Sequence, residues 1–130
     1  MKFLIDHNIE GYARILLGKM ANQGWLELIP IRFITFNEID LSILSHDRNV
    51  WQVAQANQMI LLTANRNMDD EDSLEQVLRE ENQLDSFPVL TIGSVKRLDE
   101  PDYRNRCVDR ILEIVLEIED FMGAGRLYIP

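Results

Sequence analysis

Four aspartates stand where they could do chemistry. Asp6 opens the triplet Asp6-His7-Asn8, Asp47 follows His46, and Asp69 and Asp70 come shortly after Thr63-Ala64-Asn65-Arg66. Carboxylates that converge repel one another unless a cation stands between them, and hard oxygen donors of this kind suit Mg²⁺ or Mn²⁺. The two histidines and the single cysteine, Cys107, are too few for a Cys/His zinc site. Each acid also has a plainer use. Asp6 fits a helix cap, Asp47 fits an N-cap, and the run from Asp69 to Asp72 fits a solvated helix entrance that favours the positive end of the dipole.

The elements that must position these residues are legible as apolar runs and helical stripes. Phe3-Leu4-Ile5, Met59-Ile60-Leu61-Leu62 and Val89-Leu90-Thr91-Ile92 are continuous rather than alternating, as expected of parallel strands covered on both faces. Ile31 to Phe36, following Pro30, is rich in β-formers and reads as a fourth strand. Between them lie helical patterns. Ile9 to Met20 ends before Gly24, and a second helix opens near Asp47 with Val50, Trp51 and Ala54. Ser73-Leu74-Glu75-Gln76 reads as a capping box for a third helix carrying Leu74, Val77, Leu78 and Leu84. A long helix runs from Pro101 to Met122, with Gly123 as its stop. Strand and helix alternate, which predicts an α/β chain of three layers, α/β/α, around a mostly parallel sheet of four to five strands. The tail Leu127 to Pro130 is expected to add an edge strand or to dock on a neighbour. Ligands bind such sheets outside the carboxyl ends of the strands. If the strands ending at Asp6 and Thr63 are neighbours, Asp6, Thr63, Asn65 and Asp69 or Asp70 face one crevice.

Composition narrows the function classes. A chain of 130 residues, 46% hydrophobic and 27% charged, reads as one globular domain over 1–130 and excludes disorder and coiled coil. No apolar run approaches the roughly 20 residues of a membrane span, and the opening residues do not make a signal peptide, so a cytoplasmic protein without membrane partners is expected. The net charge of −9 repels nucleic-acid backbones at long range. It is unevenly spread. Asp69, Asp70, Glu71, Asp72, Glu75, Glu80, Glu81 and Asp85 crowd one stretch against Arg79, whereas Lys96, Arg97, Arg104, Arg106 and Arg110 crowd another. The last three arginines are expected to pair with Asp102, Asp109 and Glu113 on an exposed helix face. No Gly-x-Ser-x-Gly elbow, Gly-x-Gly-x-x-Gly fingerprint or Gly-x-x-x-x-Gly-Lys-Ser/Thr loop occurs, which removes serine-hydrolase and nucleotide-cofactor readings. Cys107 falls inside the apolar stripe of the long helix and is expected to be buried and inert.

The order of the parts is more specific than any one of them. An opening strand ending in Asp6, then Asp47-x-x-Val50-Trp51-x-x-Ala54, then Ile60-Leu61-Leu62-Thr63, then an acidic turn, resembles the compact PIN-like family over residues 1–70. The resemblance implies a small α/β/α domain of the kind found in the toxin nucleases of toxin–antitoxin pairs, which cut RNA with Mg²⁺ or Mn²⁺ held by three or four acids. By position it implies Asp6 as the first acid, Asp47 as the acid opening the middle helix, and Asp69 or Asp70 as the last. Arg66 would steady the scissile phosphate, and Thr63 and Asn65 would face the substrate. The family commonly carries Thr-x-Asp after this strand, and here the triplet is Thr63-Ala64-Asn65. The departure implies a second expectation, a catalytically silent PIN-like module that contacts a basic protein partner through its acidic stretch.

A homodimer is the expected assembly. Val108, Leu112, Leu116 and Phe121 lie beside the main stripe of the long helix, so its apolar arc is wider than the roughly 100° needed to cover one sheet face. The apolar tail offers a second contact.

Overall fold

The computed structural model describes residues 1–65 and 73–130. Its apolar runs are strands. β1 (Lys2–Ile5), β2 (Arg32–Thr35), β3 (Met59–Thr63), β4 (Val89–Ile92) and β5 (Arg126–Ile129) form a single sheet in the order β2-β1-β3-β4-β5, and every pair is parallel. Every residue of β3 and β4 is buried, which accounts for their unbroken apolar sequences.

Alternate residues feed two cores, one on each face. Phe3, Ile5, Ile60, Leu62, Leu90 and Ile92 pack with Ala13, Leu16 and Met20 of α1 (Glu10–Asn22) and with Cys107, Val108, Ile111 and Ile114 of α5 (Pro101–Leu116). Leu4, Met59, Leu61 and Val89 pack on the other face with Val50, Trp51 and Ala54 of α3 (Asp47–Ala56) and Leu74 and Val77 of α4 (Leu74–Glu81). The result is the expected three-layer α/β/α arrangement. Two further single-turn helices, α2 (Trp25–Leu28) and α6 (Ile118–Phe121), extend α1 and α5.

Several local expectations change. The long helix stops at Leu116, because Glu117 leaves helical geometry (φ −117°, ψ 33°) before α6 begins. Val108 and Leu112 are buried inside the monomer, so most of the wide apolar arc is used there, while Leu116 stays exposed. Leu84 lies beyond α4 and is 92% exposed. Its backbone explains Gly123, which has φ +81°, and any Cβ there would come within 2.8 Å of the Leu84 carbonyl oxygen. The capping box is half made. Ser73 Oγ accepts from the Gln76 amide, but the Gln76 side chain donates to Glu80 instead of reaching back. Of the three arginines on α5 only Arg110 finds its expected acid, Glu113. Arg104 donates to the Leu98 carbonyl and Arg106 lies over the Tyr103 ring. Cys107 is buried, and burial pushes its thiol up to about 11, far from a reactive thiolate. Among the described residues no helix is long and apolar enough to cross a membrane.

α3 and α4 are clamped together by charge. Arg48 pairs with Glu81 and, at 2.7 Å, with Glu80, while Gln52 donates to Glu81 at 2.9 Å. The Gln52 hydrogen bond, with the Arg48 guanidinium behind it, holds the Glu81 carboxyl below its ordinary value of 4.5. A lowered folded-state value means that the stabilisation is present above the unfolded value and is lost as pH falls through the folded one. Glu81→Gln should therefore cost about 0.5 kcal/mol at pH 7, as partly exposed pairs do. The gap between the two urea midpoints should close once the pH is well below 4.5. A gap independent of pH would contradict this account.

Candidate functional site

Strand order decides where a site can form. From β1 the chain turns outward to β2, whereas from β3 it proceeds the other way to β4, so the switch point of this doubly wound sheet lies between β1 and β3. The carboxyl ends of those two strands carry Asp6 and Thr63. The neighbourhood assumed from sequence is observed: Ile5 pairs with Leu62, and the Asp6 amide donates to the Leu62 carbonyl at 3.0 Å.

Asp6 is held in two ways. Its Oδ1 accepts from the Asn8 amide at 3.2 Å, capping a 3₁₀ turn over His7–Ile9, and its Oδ2 accepts from Thr63 Oγ1 at 2.7 Å. One carboxylate thus both caps the turn and bonds the end of β3. Thr63 Oγ1 in turn accepts from the Asn65 amide at 3.0 Å, which fixes the turn after β3. Asp47 departs from the N-cap expectation. His46 is the capping residue and Asp47 is the first helical residue. Asp47 Oδ2 accepts from Asn65 Nδ2 at 2.7 Å and from the Leu74 amide at 3.2 Å, the first residue of α4. A single oxygen thus ties together the starts of α3 and α4 and the end of β3.

The three side chains line one cleft of about 410 Å³, with His7, Asn8, Ser45 and Thr63 adding polar groups and Ile43, Phe36 and Leu61 apolar wall. Ile43 is 60% exposed and forms part of its rim. Burial raises the Asp47 carboxyl above its ordinary value of 3.8, and the charge of Asp6 adds to the rise; the Asn65 and Leu74 hydrogen bonds and Arg126 oppose it. Two acids held this way gain from a cation between them.

That donor set bears on the Mg²⁺ or Mn²⁺ implied by the resemblance. Among the described residues no group of three or more His, Cys, Asp or Glu converges. Mg²⁺ is commonly held by only one or two carboxylates together with substrate oxygens and water, and Asp6 and Asp47 meet that requirement. The residues present fit one such ion. Arg66, Asp69 and Asp70, the other sequence candidates, lie outside the described residues.

Sequence reasoning missed Arg126. Its side chain is 6% exposed, and Nε donates to Glu75 at 2.6 Å. Nη1 donates to the Asn65 carbonyl at 2.7 Å and to Thr91 Oγ1 at 2.6 Å. A cation at the start of the edge strand thus anchors, from behind, the turn whose side chain reaches Asp47. Nothing in its flanking Gly125 and Leu127 signals this.

The fold and the cleft define a doubly wound α/β protein with a two-acid site at its switch point. Comparison with protein-family models, curated proteins and solved structures gave no match to this chain.

Proposed function

We propose that the chain is a PIN-like, metal-dependent ribonuclease of the toxin or RNA-processing kind, acting in the cytoplasm on phosphodiester bonds. The observation that supports this reading is the meeting of Asp6 and Asp47 across the switch point, from sequence positions 41 residues apart, in a cleft open to solvent. Bound Mg²⁺ or Mn²⁺ would supply activation of water and stabilisation of the leaving oxygen. Asp6 and Asp47 would hold the ion through carboxylate oxygens. Thr63 and Asn8 keep the Asp6 carboxylate in one orientation, and Asn65 and the Leu74 amide favour the ionised form of Asp47 against the effect of burial. Arg66, and Asp69 or Asp70, would complete the substrate contact and the ligand set.

Wild-type protein should cleave single-stranded RNA in Mn²⁺, and Asp6→Asn should lower the rate at least about a hundredfold, equivalent to roughly 2.7 kcal/mol of transition-state stabilisation. No cleavage by wild type, or equal cleavage by the variant, would reject the nuclease.

One observation favours a second reading. Asn65 donates an N–H into Asp47 where the resemblance places another acid. A silent PIN-like module contacting a basic protein partner is consistent with that substitution, and calorimetry separates the two. Micromolar Mn²⁺ binding lost in Asp6→Ala supports the enzyme, and no binding at millimolar Mn²⁺ supports the module. In either case a homodimer would use Leu116 and Tyr128, which are 64% and 50% exposed, and light scattering at high micromolar concentration would read twice the monomer mass.

A further inference from the structure

A polymer bound with one phosphodiester at Asp6 and Asp47 must lodge its neighbouring phosphates somewhere on a chain of net charge −9. The described lining of the cleft contains two carboxylates and neither lysine nor arginine. Among the described residues, further counter-charge has to come from beside it. A second pocket, of about 230 Å³, opens at the carboxyl end of β4, the strand next to β3, and is lined by Ile92, Gly93, Ser94, Val95, Lys96 and Ala64. Ala64 also lines the acidic cleft, so the two hollows share a wall residue.

Lys96 is the one lysine or arginine among the described residues that line either hollow. The neighbouring cations are engaged. Arg97 pairs with Glu100 at 3.2 Å and lies 4.4 Å from the Tyr103 ring centroid, and Arg106 shares that ring. Lys96 is exposed and makes no ion pair among the described residues. The segment that carries it is fixed in place: the Gly93 amide donates to the Ile129 carbonyl at 3.1 Å and the Ser94 amide to Tyr103 Oη at 2.9 Å.

We infer that single-stranded RNA crosses Ala64 and lays the phosphate next to the scissile one in the pocket of Gly93 to Lys96, with the Lys96 ammonium as its counter-ion. The inference rests on the nuclease reading and adds the path of the strand. Fluorescence anisotropy of a labelled oligoribonucleotide, with Ca²⁺ present, tests it. Lys96→Ala should weaken binding roughly three- to tenfold and reduce the slope of log Kd against log salt by about 0.7, the loss of one phosphate contact on a single strand. Lys96→Glu should weaken it further, and Lys19→Ala, on α1, should leave it unchanged. The Mn²⁺-induced shift in melting temperature should be the same in all of them. If Lys96→Glu binds like wild type with the same salt slope, the path is wrong and the cleft reading stands. If wild type does not bind the oligonucleotide at any salt concentration, both fall.

Discussion

Arg126→Met should lower stability by about 2–4 kcal/mol, the largest effect expected of any single polar residue here. Methionine fills much of the same space but cannot donate. Three acceptors then lose their partner: the Asn65 carbonyl, the fully buried Thr91 hydroxyl and the Glu75 carboxylate. Glu75 is 25% exposed at its side chain and can regain water, which keeps the cost below that of a fully enclosed pair. Nη2 has no partner among the described residues, so nothing is lost there. Glu75→Gln retains an acceptor for Nε and should cost less than about 1 kcal/mol. Urea unfolding of the two variants beside wild type measures the contrast. Equal midpoints for wild type and Arg126→Met would show that the guanidinium anchors nothing.

Asn65→Asp should have opposite effects with and without metal. In the wild-type protein the amide donates to Asp47 at 2.7 Å; a carboxylate there removes the donor and places like charge against Asp47, near Asp6. Without metal the variant should lose about 1–3 kcal/mol. With saturating Mn²⁺ that repulsion becomes attraction to the ion. A roughly tenfold gain in affinity would return about 1.4 kcal/mol by linkage, so the Mn²⁺-induced rise in Tm should exceed that of wild type. Thermal melts of both proteins with and without Mn²⁺ decide. Equal shifts would mean that residue 65 does not face the ion, and a variant more stable than wild type in chelator would mean that Asp47 is not ionised beside it.

The parts legible in sequence were those written in local patterns. Phe3 to Ile5, Met59 to Leu62 and Val89 to Ile92 declare themselves because a strand covered on both faces has no polar positions to interrupt it. Once those strands are placed, Asp6 and Thr63 follow, since each sits at or just beyond the carboxyl end of its run. Of the two readings open to Asp47, the N-cap is the one the structure corrects. A helix-opening aspartate looks the same in sequence whether its oxygen caps its own helix or, as here, accepts from Asn65 and Leu74. The break at Glu117 was hidden because an apolar stripe continues in register across a residue whose backbone turns out of the helix. Arg126 was not legible at all. A lone arginine in a tail segment carries no periodicity, and the acceptors that define its role are 35, 51 and 61 residues away.

The separation between Arg126 and Asn65 ties the cleft to the edge of the sheet. β5 has a partner on one side only, and an outer strand is among the first elements to open when a fold fluctuates locally. Each such opening withdraws the guanidinium from the Asn65 carbonyl and slackens the turn that steers a side chain onto Asp47. Amide-exchange protection of β5 and the order of the cleft should therefore rise and fall together. An ion or ligand that binds only the ordered cleft must, by the same linkage, slow exchange in a strand it never touches.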